Sequence, residues 1–112
     1  MDCIFCKIAS GELKTTKLYE DDKMVIFKDV DPQAPIHLLA IPKKHISSAT
    51  EINSENSGLI SHIFEKISEL KDKLGLSQGF RIVNNCGESA GQTVHHIHFH
   101  ILAGRKFTWP PG

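Results

Sequence analysis

At 112 residues the chain has room for one domain, residues 1–112, and not for two ordinary ones. Its 40% hydrophobic content suits a packed core and excludes a disordered chain. Thirteen basic and thirteen acidic side chains cancel, which removes the footprint of a nucleic-acid binder and of a polybasic membrane patch.

At the N-terminus Asp2 stands where the positive charge of a leader belongs, and no apolar run follows, so no signal peptide is expected. The longest apolar run, Leu38-Leu39-Ala40-Ile41, falls far short of the roughly 20 residues a membrane span needs. A cytoplasmic location with reduced thiols is therefore expected, and three cysteines do not make a disulfide framework. Cys3 and Cys6 form a C-x-x-C pair with three readings. A redox dithiol wants a preceding strand, which this position denies it. A zinc half-site needs two more ligands from elsewhere, and coincidence at a chain end needs nothing.

Residues 3–10 read as a short helical turn with Ile4, Phe5 and Ile8 on one side. Leu18-Tyr19 and Met24 to Phe27 read as strands around the Glu20–Lys23 turn. Asp31-Pro32-Gln33-Ala34-Pro35 is a loop, since prolines lack the N–H that a central strand donates. Ile36 to Ile41 is a third strand. Ser54 to Leu74 is expected as the one long helix, with Ile60, Ile63, Ile67, Leu70 and Leu74 on one stripe. Ser54 suits its cap and Gly75 the left-handed residue past its end. Phe80 to Val83 is a fourth strand, Asn84 to Gln92 a loop, and Val94 to Leu102 a fifth strand. His62 is expected at the surface of the helix. The order β-β-β-α-β-β predicts an α+β domain with one helix on a mainly antiparallel sheet.

Four of the seven histidines fall between positions 95 and 100. In a regular strand His96, His98 and His100 share one face about 6 to 7 Å apart, while Ile97, Phe99 and Ile101 face the core. His95 then points away from the three, and no role is assigned to it. Near neutral pH an imidazole serves as nucleophile, acid, base or metal ligand, and spacing alone does not choose among these. The preceding loop, with Asn84, Asn85, Gly87, Gly91 and Thr93, places backbone N–H groups and a hydroxyl beside the imidazoles. That composition suits an anion cradle.

The stretch His96-Ile97-His98-Phe99-His100-Ile101-Leu102 resembles the His-φ-His-φ-His-φ-φ signature of the histidine-triad (HIT) nucleotide-binding proteins. Asp31-Pro32-Gln33-Ala34-Pro35, Ile41-Pro42-Lys43-Lys44-His45, Gly91-Gln92-Thr93-Val94 and Trp109-Pro110-Pro111-Gly112 extend the resemblance over essentially the whole chain, toward the Hint branch. It implies a homodimer with one continuous sheet, acting on purine nucleoside phosphoramidates. His98 would attack the α-phosphorus and His100 would protonate the leaving amine. His37 would orient the nucleophile, and His96 would help position it. Asn85, Gly91, Gln92, Thr93 and Val94 would hold the phosphate. Asp29 would hold the ribose, and Phe5, Ile8, Phe27, Val30 and Leu39 the purine. Trp109 would reach toward the partner subunit's pocket. Bacterial relatives that begin with C-x-x-C imply a structural zinc on Cys3, Cys6, His45 and His96, with no cofactor needed for catalysis. Cys86 departs from the acidic or polar residue expected there. Dinucleoside polyphosphate hydrolysis, a nucleotide-responsive scaffold and a zinc-binding regulatory module are the alternatives.

Overall fold

Side chains of pleated strands alternate between two faces, so apolar runs such as Met24–Phe27 feed two cores, one on each side of the sheet. The computed structural model describes residues 3–112; Asp2, on which the expectation of no leader turns, lies outside the described residues. The strands are β1 (Lys17–Glu20), β2 (Met24–Lys28), β3 (Ile36–Pro42), β4 (Phe80–Val83) and β5 (Phe99–Ala103). They form one sheet in the order β1-β2-β3-β5-β4, every pairing antiparallel. Met24, Ile26, Leu38, Ala40, Phe99 and Ile101 face one way and bury against α2 (Ser57–Glu69) through Ile63 and Ile67. Val25, Phe27, Leu39 and Ile41 face the other way and bury against Phe5, Ile8 and Ala9 of α1 (Ile4–Ser10). Each large aliphatic or aromatic side chain so buried contributes about 1.5–3 kcal/mol. No helix among the described residues is long and apolar enough to cross a membrane.

Two elements are shorter than expected. The long helix begins at Ser57 rather than Ser54. Asn53 Oδ1 accepts from the Glu55 and Asn56 N–H groups, and Asn56 Oδ1 accepts from Asn53 N–H, so side chains hold this segment as turns. At the other end α2 stops at Glu69, and turns carry the chain to Gly75, whose φ of 80° is left-handed. Leu76 N–H reaches the Lys71 carbonyl there and Gly75 N–H the Asp72 carbonyl, closing a Schellman motif. The fifth strand begins at Phe99 rather than Val94. Ile97 N–H is drawn to the Ile46 carbonyl at 2.6 Å, which takes the segment off the ladder; residues 96–99 are all buried because both faces are covered, with Ile97, Phe99 and Ile101 together in the α2 core as expected.

Candidate active site

A cavity of about 500 Å³ opens between α1 and the sheet. Phe5, Ile8, Phe27 and Leu39 wall it, Asp29, Thr93, Val94, His98 and His100 line it, and Val30 stands on its rim, 95% exposed. The Phe5 ring meets His98 edge to face at 5.1 Å and Phe27 at 5.6 Å. A second cavity, about 410 Å³, shares only Lys28 and Asp29 with the first, is lined further by Pro32, Pro35 and His37, and does not reach His98.

The histidines divide into two groups rather than one row. His98 and His100 rings lie 5.1 Å apart in the cavity. His98 Nδ1 lies 2.8 Å from the His96 carbonyl oxygen. A carbonyl only accepts, so the hydrogen-bond network assigns the proton of neutral His98 to Nδ1 and leaves Nε2 with a lone pair. Asn84 Nδ2 donates to the His98 carbonyl at 2.9 Å and fixes the backbone on its other side.

His37 was expected to orient the nucleophile, but its Nε2 lies 2.9 Å from Nδ1 of His100 instead. Register explains this. Leu39 pairs with His100 and His37 with Leu102, so His37 and His100 are diagonal neighbours on the α1 face. Gln33 N–H donates to His37 Nδ1 at 3.0 Å, which assigns the His37 proton to Nε2 and makes His100 Nδ1 the acceptor. Asp29 Oδ2 lies 3.3 Å from His37 Nε2, and Asp29 Oδ1 accepts from Asp31 N–H. Burial, with His98 and His37 beside it, pushes His100 below the usual imidazole range.

The ring of His96 is fully buried behind Phe5, on whose ring His98 also packs, and does not line the cavity. Its Nε2 donates to the Pro42 carbonyl at 2.8 Å, and burial holds the ring below the usual imidazole range. Its Nδ1 faces Cys3 Sγ at 3.4 Å, Cys6 Sγ at 3.5 Å and His45 Nδ1 at 3.2 Å. Cys6 Sγ lies 3.3 Å from His45 Nδ1, and all four ligand atoms are within 4.8 Å of one another. Tetrahedral zinc at its usual bond lengths sets nitrogen–nitrogen edges of about 3.3 Å and nitrogen–sulfur edges of about 3.6 Å. The residues present therefore fit the ion. The Pro42 bond is the outer partner that metal-binding histidines commonly have.

In the expected anion loop, Thr93 and Val94 reach the cavity, while Asn85, Gly91 and Gln92 are absent from its lining. Gln92 is 5% exposed and braces the loop: Oε1 accepts from Gly87 N–H, and Nε2 donates to the Ser47 and Val94 carbonyls. Trp109 is 82% exposed and also absent from the lining, and His95 is exposed. His62 is not a plain surface residue. Its Nε2 lies 2.7 Å from Asp21 Oδ2, tying α2 to the β1–β2 turn. The Thr50 N–H and the Ser48 hydroxyl, foremost among its donors, hold the Cys86 thiol below its usual range. Asn84 was read only as part of the anion loop and Gln33 as part of the proline loop; their bonds to the His98 carbonyl and the His37 ring depend on backbone geometry that residue type does not reveal.

The family model for the scavenger mRNA decapping enzyme C-terminal binding region matches residues 2–108. A HIT-like protein of Synechocystis is 47% identical over 111 residues, 99% of this chain and 97% of that protein. The crystal structure of a HIT family hydrolase from Legionella pneumophila superposes with a TM-score of 0.95 at 47% identity, covering 99% of this chain and 100% of that one. A histidine triad protein from Clostridium difficile gives 0.92 at 50% identity, covering 96% and 95%.

Proposed function

Because the chain belongs to the histidine-triad family, we propose that it hydrolyses purine nucleoside phosphoramidates through a nucleotide covalently held on His98. The observation that carries this reading is the 2.8 Å bond from His98 Nδ1 to the His96 carbonyl, which leaves a bare Nε2 at the cavity. In the first step Nε2 forms a bond to the α-phosphorus as the phosphorus–nitrogen bond to the leaving amine breaks. His100, whose Nδ1 accepts from His37, keeps its proton on Nε2 and donates a hydrogen bond there to that amine, which takes up its own proton from solvent, because a neutral ring that released Nε2–H would be left an imidazolate. Water then attacks phosphorus and releases a proton to solvent, and the phosphorus–His98 bond breaks to release AMP or GMP and leave His98 neutral with its proton on Nδ1.

The His96 carbonyl stabilises the positive charge that His98 carries in the intermediate. Donors aimed at the non-bridging oxygens contribute roughly 3 kcal/mol each; Thr93 and Val94, which line the cavity, serve that task, and Asn85 and Gly91 belong to the same loop. The purine lies among Phe5, Ile8, Phe27, Leu39 and the rim residue Val30, and Asp29 holds the ribose. Zinc on Cys3, Cys6, His45 and His96 is structural: it ties α1, which carries two purine-wall residues, to the loop that supplies the His96 carbonyl. When bound it supplies cross-linking and no step of the reaction. The protein works as a homodimer in the cytoplasm, with Trp109 extending toward the partner subunit's pocket.

Incubation with adenosine 5′-phosphoramidate is expected to release AMP, and His98→Ala to lower that rate by about 10⁴-fold or more. Undiminished release by the variant would dismiss His98 as the nucleophile.

A further inference from the structure

Two clusters among the described residues have the make-up of a metal site. One is Cys3, Cys6, His45 and His96. The other is Asp29, His37 and His100, whose ligand atoms also lie within 4.8 Å of one another. A carboxylate with two imidazoles is a common set for a divalent transition ion. The two clusters differ in what holds the outer nitrogen of their buried histidine. In His96 that nitrogen faces the Pro42 carbonyl, which only accepts, so the proton sits outside and a lone pair faces the cluster. In His37 it faces the Gln33 N–H, which only donates, so the lone pair sits outside and the proton faces the cluster.

We infer that the backbone N–H of Gln33 locks His37 as an Nε2–H donor, so that His37 and His100 form a donor chain beside the accepting carboxylate of Asp29 and the cluster refuses the divalent cation its composition invites. For an ion to bind Nε2, the proton would have to move to Nδ1, where it would meet the Gln33 N–H. Otherwise His37 would have to become an imidazolate, or the ring would have to turn over and set a C–H against the donor. His37 is 7% exposed and its ring packs 5.1 Å from that of His100, which leaves little room for turning. The donor is itself held in place. Gln33 Nε2 donates to the Asp31 carbonyl, Arg105 Nε donates to the Gln33 carbonyl, and Asp31 N–H is bound by Asp29. The same lock blocks protonation of His37 at Nδ1, so His37 donates to His100 and the His100 proton remains at Nε2. Gln33 is a positioning residue that acts through two rings. A protein with a zinc centre on one flank of its catalytic histidines is thereby protected from the same ion on the other.

The consequence for His100 rests on the proposed reaction; the tautomer and the metal refusal do not. The test uses full-length, zinc-loaded, ¹⁵N-labelled protein. Two-bond ¹H–¹⁵N correlation is expected to show the Nε2–H tautomer for His37, and an Nδ1–H pattern overturns the inference. Zinc titration is expected to saturate at one ion per chain. A second ion that is lost in His37→Ala overturns it. Gln33→Pro removes the donor and is expected to tighten zinc at the second cluster by about tenfold or more, with inhibition reversed by chelator. A folded Gln33→Pro protein that still takes one zinc overturns the inference; if that variant does not fold, the two wild-type measurements decide. Absence of turnover alongside the Nε2–H tautomer and a single zinc would count against the proposed reaction alone.

Discussion

At the scale of single residues, function turns on which nitrogen carries a proton, and backbone groups make that choice. The His96 carbonyl and the Gln33 N–H set His98 and His37 in opposite tautomers with respect to the cavity and the relay. His100 has to be neutral to accept from His37, and burial, foremost, with two neighbouring imidazoles, depresses its protonation. A histidine whose folded value is depressed binds its proton more readily unfolded. Its contribution to stability is therefore present above the usual histidine value of about 6.5 and declines as pH falls below it. The His100 ring is expected to titrate below that value in an NMR pH series, and His100→Gln to flatten the corresponding decline in stability. A His100 midpoint above 6.5 would contradict the assignment. The histidine signature was legible by eye, as was the C-x-x-C pair. The partner of His37 was not, because it depends on the β3–β5 register that sets Leu39 opposite His100.

At the scale of elements, local pattern and long-range bonds compete. The apolar runs Met24–Phe27 and Ile36–Ile41 foretold strands, but not that their two faces bury against different helices, where one helix on the sheet was expected. Alternation in 97–101 placed Ile97, Phe99 and Ile101 in one core but overstated the strand, since Ile97 N–H bonds to Ile46 and the segment leaves the ladder. Apolar spacing located α2, but its start is set by Asn53 and Asn56, whose short polar side chains compete with helical bonding. The glycine-rich loop reads as an anion cradle, yet its most buried polar side chain, Gln92, bonds inward to Gly87, Ser47 and Val94. Gln92→Ala is expected to destabilise the fold by about 2 kcal/mol through unpaired backbone groups. Chemical denaturation checks this, and an unchanged midpoint with a large rise in KM would instead make Gln92 a substrate contact.

At the scale of the whole molecule, β5, an interior strand between β3 and β4, carries His100 and continues from the segment that holds His96 and His98. The cysteines of the N-terminal turn meet His45 and His96, so four residues far apart in the chain close on one point. Half of that set was legible as a motif; His45 and His96 came from family resemblance, because nothing local marks either as a partner. The sheet ends at β4, an edge strand able to pair with a second copy. Sedimentation is expected to give about twice the chain mass, the closed two-fold assembly being the commonest for such folds; a monomer at micromolar concentration would remove the proposed contact of Trp109 with the partner subunit. The most direct measurement is acid- or base-quenched mass spectrometry of the protein during turnover of adenosine 5′-phosphoramidate. One adenylyl group on the peptide holding His98, absent from His98→Ala, is the predicted result. Full turnover with no adduct at any early time, or an adduct on another residue, would contradict it.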